Sequence, residues 1–254
     1  MMTIKNDAEI QKMEAAGQLV AYIHSRIEPV IQPGVTTKEL DDIARDIIKE
    51  RGAKSSFLGY HGYPAHICTS VNDEIVHGIP GKRRLNEGDI ISVDIGVILD
   101  GFNGDSAWTY GVGVISPEAA LLMEQTEQAL YRAVAAAATG NRLGAIGYAV
   151  ESYARPLGRG IVREYGGHGI GRAMHEDPHV PNVGSPERGV IMRTGLTLAI
   201  EPMLTNGSEE TKTMRDGWTV KTKDGSLSTH FEHTVAVTPD GGRVLTRRLV
   251  PVLE

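Results

Sequence analysis

Residues Asp89–Tyr110 read DIISVDIGVILDGFNGDSAWTY. Two β-rich runs flank the dipeptide Asp100-Gly101, and such a dipeptide between alternating apolar residues is the strongest short-range sequence signal for a β-hairpin. The segment therefore predicts a hairpin with a two-residue turn. In that register, Asp105 lies opposite Gly96.

This hairpin would bring two carboxylates together. Asp94 lies two residues before Gly96, so its side chain shares a face with that of Asp105, on a diagonal within reach. Val93 and Ile95 indicate that part of the hairpin is buried, where two ionised carboxylates repel each other at high cost. A cation between them would remove the repulsion.

The segment 166–178, GGHGIGRAMHEDP, is too rich in glycine for a helix and places His168 and His175 seven residues apart. Glycine permits positive φ and close backbone approach. We expect a glycine-supported turn that aims these imidazoles at a ligand. A surface loop with two solvated histidines is the alternative.

Two further acids lie beside apolar runs. Glu201 follows LTLAI at 196–200 and precedes Pro202, and Glu232 precedes the β-rich run that begins at His233. Glutamates borne on strands need partners, unless each faces solvent on an edge strand or pairs with an arginine.

The five residues form one candidate set: Asp94, Asp105, His168, Glu201 and Glu232. Four negative charges and one imidazole would neutralise two divalent cations, and this ligand set suits Mn, Fe, Co or Zn. Two such ions, about 3.5 to 4 Å apart, supply a bridging hydroxide and polarise a carbonyl. The set predicts hydrolysis.

Apolar periodicity predicts four helices. The first begins at Asp7 and the second ends at Gly52, whereas the third runs from Ser116 to Ala138 and the fourth runs toward Arg155. Two helices followed by strands, twice, indicate a duplication. We expect one α+β domain, 1–254, with halves at about 7–114 and 115–248, one antiparallel sheet shared by both halves, helices outside and a cleft between the halves.

Composition excludes several classes of protein. The net charge is −6, and scattered basic residues argue against a nucleic-acid or membrane surface. One cysteine, Cys68, excludes an internal disulfide and a cysteine-based zinc cluster. Because the sequence has neither a signal peptide nor a run of roughly 18 to 20 apolar residues, we expect a cytoplasmic protein. We also expect a monomer.

Seven motifs connect these residues to a known family: LGYHGYP, VHGIP, DIGVILDGFNGD, GGHGIG, MHEDP, IEPM and DGWTVKTKDGSLSTHFEHT. In this order they closely resemble the bacterial type 1 methionine aminopeptidases of the M24 metallopeptidases, from about Asp7 to about Arg248. The resemblance implies the pita-bread fold and two divalent metal ions. It also implies removal of the initiator methionine from nascent chains, at the ribosome.

The resemblance further implies residue roles. Asp94, Asp105 and Glu232 would be shared by or bridge the two metals, and His168 and Glu201 would complete one of them. Glu201 would also move protons for the attacking water.

Two other histidines gain roles from the same resemblance. His175 would stabilise the oxyanion, and His77 would hydrogen-bond the substrate backbone.

Soft and aromatic side chains suit a methionine thioether. The candidate pocket walls are Phe57, Tyr60, Tyr63, Cys68, Met174 and Trp218. Plain core packing is the alternative for each. Phe57 stands where the family often has cysteine and Met174 where it usually has phenylalanine, so the preference for the second substrate residue stays open. His61 is expected to line the site, whereas His66, His179 and His233 are expected to be structural or solvated.

Two alternatives share the fold. A prolidase or Xaa-Pro aminopeptidase uses the same ligand set, but it usually carries an additional amino-terminal domain, which is not expected here. A catalytically silent pita-bread protein that binds partners would lack ligands, and all five are present.

Overall fold

The computed structural model of the chain describes residues 2–248. The extreme ends of the predicted domain, residue 1 and residues 249–254, lie outside the described residues. The four helices are Asp7–Ile27 (α1), Thr37–Glu50 (α2), Pro117–Ala136 (α3) and Gly144–Ala154 (α4). Short 3-10 turns occupy Glu28–Val30, Tyr60–Gly62 and Arg155–Leu157.

Polar side chains define where the helices begin. Asn6 and Glu9 form a reciprocal capping box at the start of α1, and Thr36 and Glu39 form another at the start of α2. Ser116 caps α3, which has a proline in its first turn. These caps satisfy backbone N–H groups that have no partner inside the helix.

Residues 2–248 contain fifteen strands in two groups, each of which follows a pair of helices. The first group comprises Lys54–Ser55 (β1), Cys68–Val71 (β2), Glu74–Val76 (β3), Ile90–Leu99 (β4) and Phe102–Gly111 (β5). The second comprises Gly160–Ile161 (β6), Gly167–Gly169 (β7), Glu176–Val180 (β8), Thr197–Ile200 (β9), Met203–Thr205 (β10), Thr211–Thr213 (β11), Val220–Thr222 (β12), Ser228–His230 (β13), His233–Thr238 (β14) and Gly241–Val244 (β15). The order of two helices and then strands occurs twice, as the sequence predicts. The boundary between the two halves stays a prediction.

The predicted hairpin is confirmed residue by residue. Strands β4 and β5 pair antiparallel, with Leu99 opposite Phe102 and Gly96 opposite Asp105. Asp100 and Gly101 both have positive φ, 49° and 79°. A two-residue turn with this geometry matches the twist of the flanking strands.

The expectation of one continuous hydrogen-bonded sheet is wrong. The strands form four ladders: β1-β4-β2 with β5 on β4, β13-β10-β6, β11-β12-β3, and β15-β14-β9-β7-β8. Between β5 and β14, the Thr234 hydroxyl accepts from the Asp105 amide at 3.0 Å and donates to the Asp105 carbonyl at 2.8 Å. A side-chain hydroxyl thus replaces the backbone partner there, so the two ladders meet without a continuous backbone ladder. Wherever two of these strands are hydrogen-bonded to each other, they run antiparallel.

Helix α1 packs on one face of the hairpin, and the acids lie on the other. A Cβ atom at Gly104 would lie 2.6 Å from the Gly17 amide nitrogen and 2.7 Å from the Ala16 carbonyl carbon. Since successive side chains of a strand point to opposite faces, Asp105 points away from the helix. The packing of α1 thereby directs Asp105 toward the other half of the chain.

Within residues 2–248, the structure contains no helix with both the length and the apolar character needed to span a bilayer.

Gly104→Ala should destabilise the chain, because the added methyl group overlaps the backbone of α1. We expect a loss of about 1 to 3 kcal/mol in the free energy of unfolding, measured by urea denaturation of chelator-treated protein. Gly81→Ala is the matched control, since its Cβ would have nothing nearer than a carbonyl oxygen at 3.9 Å. Equal stability of the two variants would contradict the close contact of α1 with β5.

Candidate active site

The hairpin supplies the first two carboxylates. Asp94 lies on β4 with Cys68 opposite it on β2, and Asp105 lies on β5 opposite Gly96. Asp105 is 3% exposed. A Cβ atom at Gly96 would lie 2.7 Å from the Phe57 ring, so this glycine lets the ring approach the sheet between the two acids.

His168 lies on strand β7, so the expected glycine-supported turn at this residue is wrong. None of the glycines from 166 to 171 has a positive φ. A Cβ atom at Gly167 would lie 2.1 Å from the Ala199 carbonyl oxygen, and one at Gly169 would lie 2.2 Å from the Asp177 carbonyl oxygen. The glycines permit β7 to fit between β8 and β9, which positions the imidazole.

The two glutamates lie at the ends of neighbouring strands. Glu201 directly follows β9, and Glu232 lies between β13 and β14. The Glu232 amide donates to the Ala107 carbonyl on β5 at 2.8 Å. Strand pairing and this bond bring both acids to the face of the hairpin that bears Asp105.

Side-chain distances show that the groups converge. Nε2 of His168 lies 3.9 Å from Oδ2 of Asp105 and 3.8 Å from Oε1 of Glu201. Asp105, His168 and Glu232 each present a ligand atom within 4.8 Å of the other two. Metal–ligand bonds of about 2.0 to 2.2 Å allow such a group to share one cation.

Three buried carboxylates each have one oxygen atom that no described residue hydrogen-bonds. Among the described residues, Oδ1 of Asp94, Oδ1 of Asp105 and Oε1 of Glu232 are buried without a hydrogen bond. Burial and the neighbouring charges of Asp105 and Glu201 hold the pKa values of Asp94 and Glu232 well above the usual range, and burial with Glu201 raises the pKa of Asp105 to about 8. Orphaned oxygen atoms and crowded negative charge are what a cation would satisfy, so the residues fit divalent metal ions.

Glu201 behaves differently from the other three acids. Burial opposes its ionisation, but the nearby His230 imidazole, followed by the charges of His168 and His77, outweighs burial and lowers its pKa below the usual value. Glu201 is therefore the carboxylate that stays ionised.

His175 lies at the mouth of the site, beside Tyr60. The Tyr60 hydroxyl is 2.7 Å from Nδ1 of His175, and the His175 and His168 ring centroids are 4.1 Å apart. Although the residue is exposed, burial of part of its ring and the neighbouring His168 lower its pKa to about 4. The imidazole is neutral at pH 7.

These side chains surround one cavity of about 340 Å³. Its lining consists of Phe57, Tyr60, His61, Tyr63, Cys68, His77, Asp94, Asp105, His168, Met174, His175, Glu201, Trp218 and Glu232. Every residue that the sequence assigned to the site therefore lies on one cavity, together with His61. The roles assigned to these residues stay predictions.

Besides the acids and histidines, the cavity lining includes an apolar cluster. Phe57, Tyr63 and Cys68 form a buried cluster, against which Met174 and Trp218 pack. The Tyr63 and Trp218 rings meet edge to face with centroids 5.1 Å apart.

Two cavity histidines have left-handed backbone conformations, His61 with φ 48° and His77 with φ 62°. Non-glycine residues in this region carry strain and cluster at functional sites. His66, His179 and His233 lie outside this cavity lining. His233 is buried and bonds Thr246, His66 lies 3.4 Å from an Asp41 oxygen, and His179 is exposed.

Sequence reasoning missed His230. Its Nε2 lies 3.4 Å from Oε2 of Glu201 and 3.8 Å from Oε2 of Glu232. His230 ends β13 only two residues before Glu232, so its nearness in sequence to a candidate ligand was a usable signal.

Comparison with known proteins identifies the class. Metallopeptidase family M24 matches residues 11–239. A methionine aminopeptidase of Clostridium acetobutylicum is 50% identical over 97% of this chain and 99% of its own length. The crystal structure of a methionine aminopeptidase from Rickettsia prowazekii aligns with a TM-score of 0.96 at 40% identity, over 97% of this chain and 100% of that one. An Xaa-Pro dipeptidase from Bacillus anthracis aligns at 22% identity with a TM-score of 0.76, over 97% of this chain and 62% of that one, and shares the fold.

The fold and the acidic, histidine-bearing cavity define a pita-bread metallopeptidase. The chain belongs to metallopeptidase family M24. The resemblance to methionine aminopeptidases found in the sequence is confirmed.

Metal binding should displace protons. Because the pKa of Asp105 is about 8 and those of Asp94 and Glu232 are also raised, these acids hold protons at neutral pH when no cation is bound. We expect Mn²⁺ affinity to rise as the pH increases from about 6 to 8. Calorimetric titration of chelator-treated protein in buffers of different ionisation enthalpy counts the protons released. An affinity independent of pH would contradict the raised pKa values.

Proposed function

We propose that the chain removes the N-terminal methionine from nascent polypeptides in the cytoplasm, acting as a monomer on chains that leave the ribosome. One observation carries the proposal: four carboxylates and an imidazole line the same cavity as a cluster of aromatic and sulfur-containing side chains. The acids suit hydrolysis at the first peptide bond. The apolar cluster suits the methionine side chain.

The proposed cofactors are two divalent ions of Co, Mn, Fe or Zn. Asp94, Asp105 and Glu232 would bridge them or be shared by them, and His168 and Glu201 would complete one. When bound, such ions lower the pKa of water to near neutrality and polarise a carbonyl oxygen.

Glu201 is suited to proton transfer. Its pKa is lowered, whereas those of the other three acids are raised, and it lies on the cavity beside His168. A positioned carboxylate that can accept a proton from the attacking water and deliver it to the leaving amine acts as general base and then general acid.

His175 and His77 would act on the substrate. The Tyr60 hydroxyl lies 2.7 Å from Nδ1 of His175. We assign the tautomer in which this hydroxyl donates to Nδ1, so that the proton on Nε2 can be donated to the oxygen that gains charge in the transition state. His77 would hydrogen-bond the substrate backbone from its left-handed position on the cavity.

The pocket walls would bind a thioether. Phe57, Tyr63, Cys68 and Trp218 offer aromatic and polarisable surface, and sulfur–aromatic contacts are favourable. Burial raises the pKa of the Cys68 thiol well above its usual value, so Cys68 is a neutral wall residue.

Asp105→Asn and His175→Ala should lose activity for different reasons. Asp105→Asn removes a charged ligand, so we expect lost metal occupancy and no turnover, whereas His175→Ala should keep its metal and slow turnover by about 10²-fold or more. Elemental analysis of dialysed protein and steady-state kinetics measure the two effects. Full activity in either variant would refute its assigned role.

A peptide panel tests the proposed function. Metal-loaded protein should cleave Met-Ala-Ser after its methionine and should not cleave Xaa-Pro dipeptides. Varying the second residue maps the preference that Phe57 and Met174 set. Cleavage of Xaa-Pro dipeptides alone would favour prolidase chemistry, and no hydrolysis with any added metal would favour a partner-binding protein.

A further inference from the structure

His230 is a buried imidazole at the site with no role in the reaction described above. The residue is 2% exposed, and its Nε2 has no hydrogen-bond partner of standard geometry among the described residues. The distances to Oε2 of Glu201, 3.4 Å, and to Oε2 of Glu232, 3.8 Å, show that Nε2 faces both acids. A buried donor without a partner costs free energy, so this arrangement needs an explanation.

The Glu201 carboxylate lies between two imidazoles. Its Oε1 faces Nε2 of His168 at 3.8 Å, and its Oε2 faces Nε2 of His230 at 3.4 Å. His230 is absent from the residues that line the cavity, whereas Glu201 and His168 are among them. The His230 ring is therefore set back from the cavity, next to the two acids that line it.

The backbone of His230 is held firmly. Its amide donates to Oγ1 of Thr109 at 3.0 Å. The Thr109 hydroxyl in turn donates to the His230 carbonyl oxygen at 2.9 Å. The preceding Thr229 hydroxyl bonds that of Thr126 on α3 at 2.6 Å. Strand β13 is thus fixed to both β5 and α3, so the ring is carried on a rigid support.

We infer that His230 is a positioning residue whose Nε2–H donates a hydrogen bond to Oε2 of Glu201 and orients that carboxylate toward the metal ions and the attacking water. The inference rests on the proposed function, since it assigns to Glu201 the roles of metal ligand and proton acceptor. A ligand's outer hydrogen-bond partner fixes its orientation, and its loss typically weakens metal binding 10- to 100-fold. The distance of 3.4 Å is slightly longer than a usual N–H···O hydrogen bond, so a shift of a few tenths of an ångström completes it.

Two substitutions separate the hydrogen bond from the bulk of the side chain. His230→Leu fills the space without a donor, and His230→Gln keeps an N–H donor. We expect Mn²⁺ binding to chelator-treated protein, measured by calorimetry, to weaken about 10- to 100-fold in His230→Leu and to stay within about threefold of the parent protein in His230→Gln.

His24→Leu is the matched control. His24 is also a buried imidazole, but its nitrogens face the Tyr110 hydroxyl at 2.9 Å and the Ser106 carbonyl at 3.1 Å. This variant should lose thermal stability and bind Mn²⁺ like the parent protein, which shows that destabilisation alone does not weaken the metal site. Circular dichroism confirms that each variant is folded.

Several outcomes would overturn the inference. His230→Leu that binds Mn²⁺ as tightly as the parent protein would do so, and so would equal weakening in His230→Gln. X-ray absorption of the loaded parent protein that requires two imidazole nitrogens would make His230 a metal ligand instead. Failure of the parent protein to cleave Met-Ala-Ser with metal added would count against the proposed function. The Mn²⁺ affinities of the parent protein and the two His230 variants would still decide whether His230 supports the metal site.

Discussion

Repulsion among four carboxylates crowded at one point is the constraint on which the rest of the structure depends. Three of them hold oxygen atoms that are buried without a partner, and the pKa values of the same three are raised. Folding of the ion-free chain therefore requires bound protons, whereas cations can replace those protons and supply the missing contacts. The metal site and the stability of the fold are thereby coupled through the same acids.

Side-chain hydroxyls fix the relative positions of the strands that carry the four acids. Backbone ladders alone would leave β5 and the strands of the second half in separate ladders, but Thr234 bonds both the amide and the carbonyl of Asp105. Thr109, on β5, likewise bonds both the amide and the carbonyl of His230 on β13. Because each hydroxyl both donates and accepts, it fixes two strands without requiring them to share a register. Ligands from distant segments are thus held in one position relative to one another.

Much of this was readable from the sequence, and the failures have specific physical causes. The Asp100-Gly101 turn determines which hairpin residues pair, so the proximity of Asp94 and Asp105 followed directly. The break between ladders did not follow, because it depends on the Thr234 hydroxyl, and no local pattern reveals such a contact. The glycines around His168 suggested a turn, but they serve close packing against Ala199 and Asp177, and a sequence cannot distinguish these two uses of glycine.

The acids of the site differ in pKa because their neighbours differ. Asp94 and Glu232 lie among other carboxylates, which favours their protonated forms. Glu201 lies among imidazoles, which favours its charge. Groups of one chemical type whose pKa values are driven apart by their surroundings take opposite roles in acid–base chemistry. The imidazoles on both sides of Glu201 therefore explain why this glutamate, unlike the three acids beside it, keeps its charge without a bound cation.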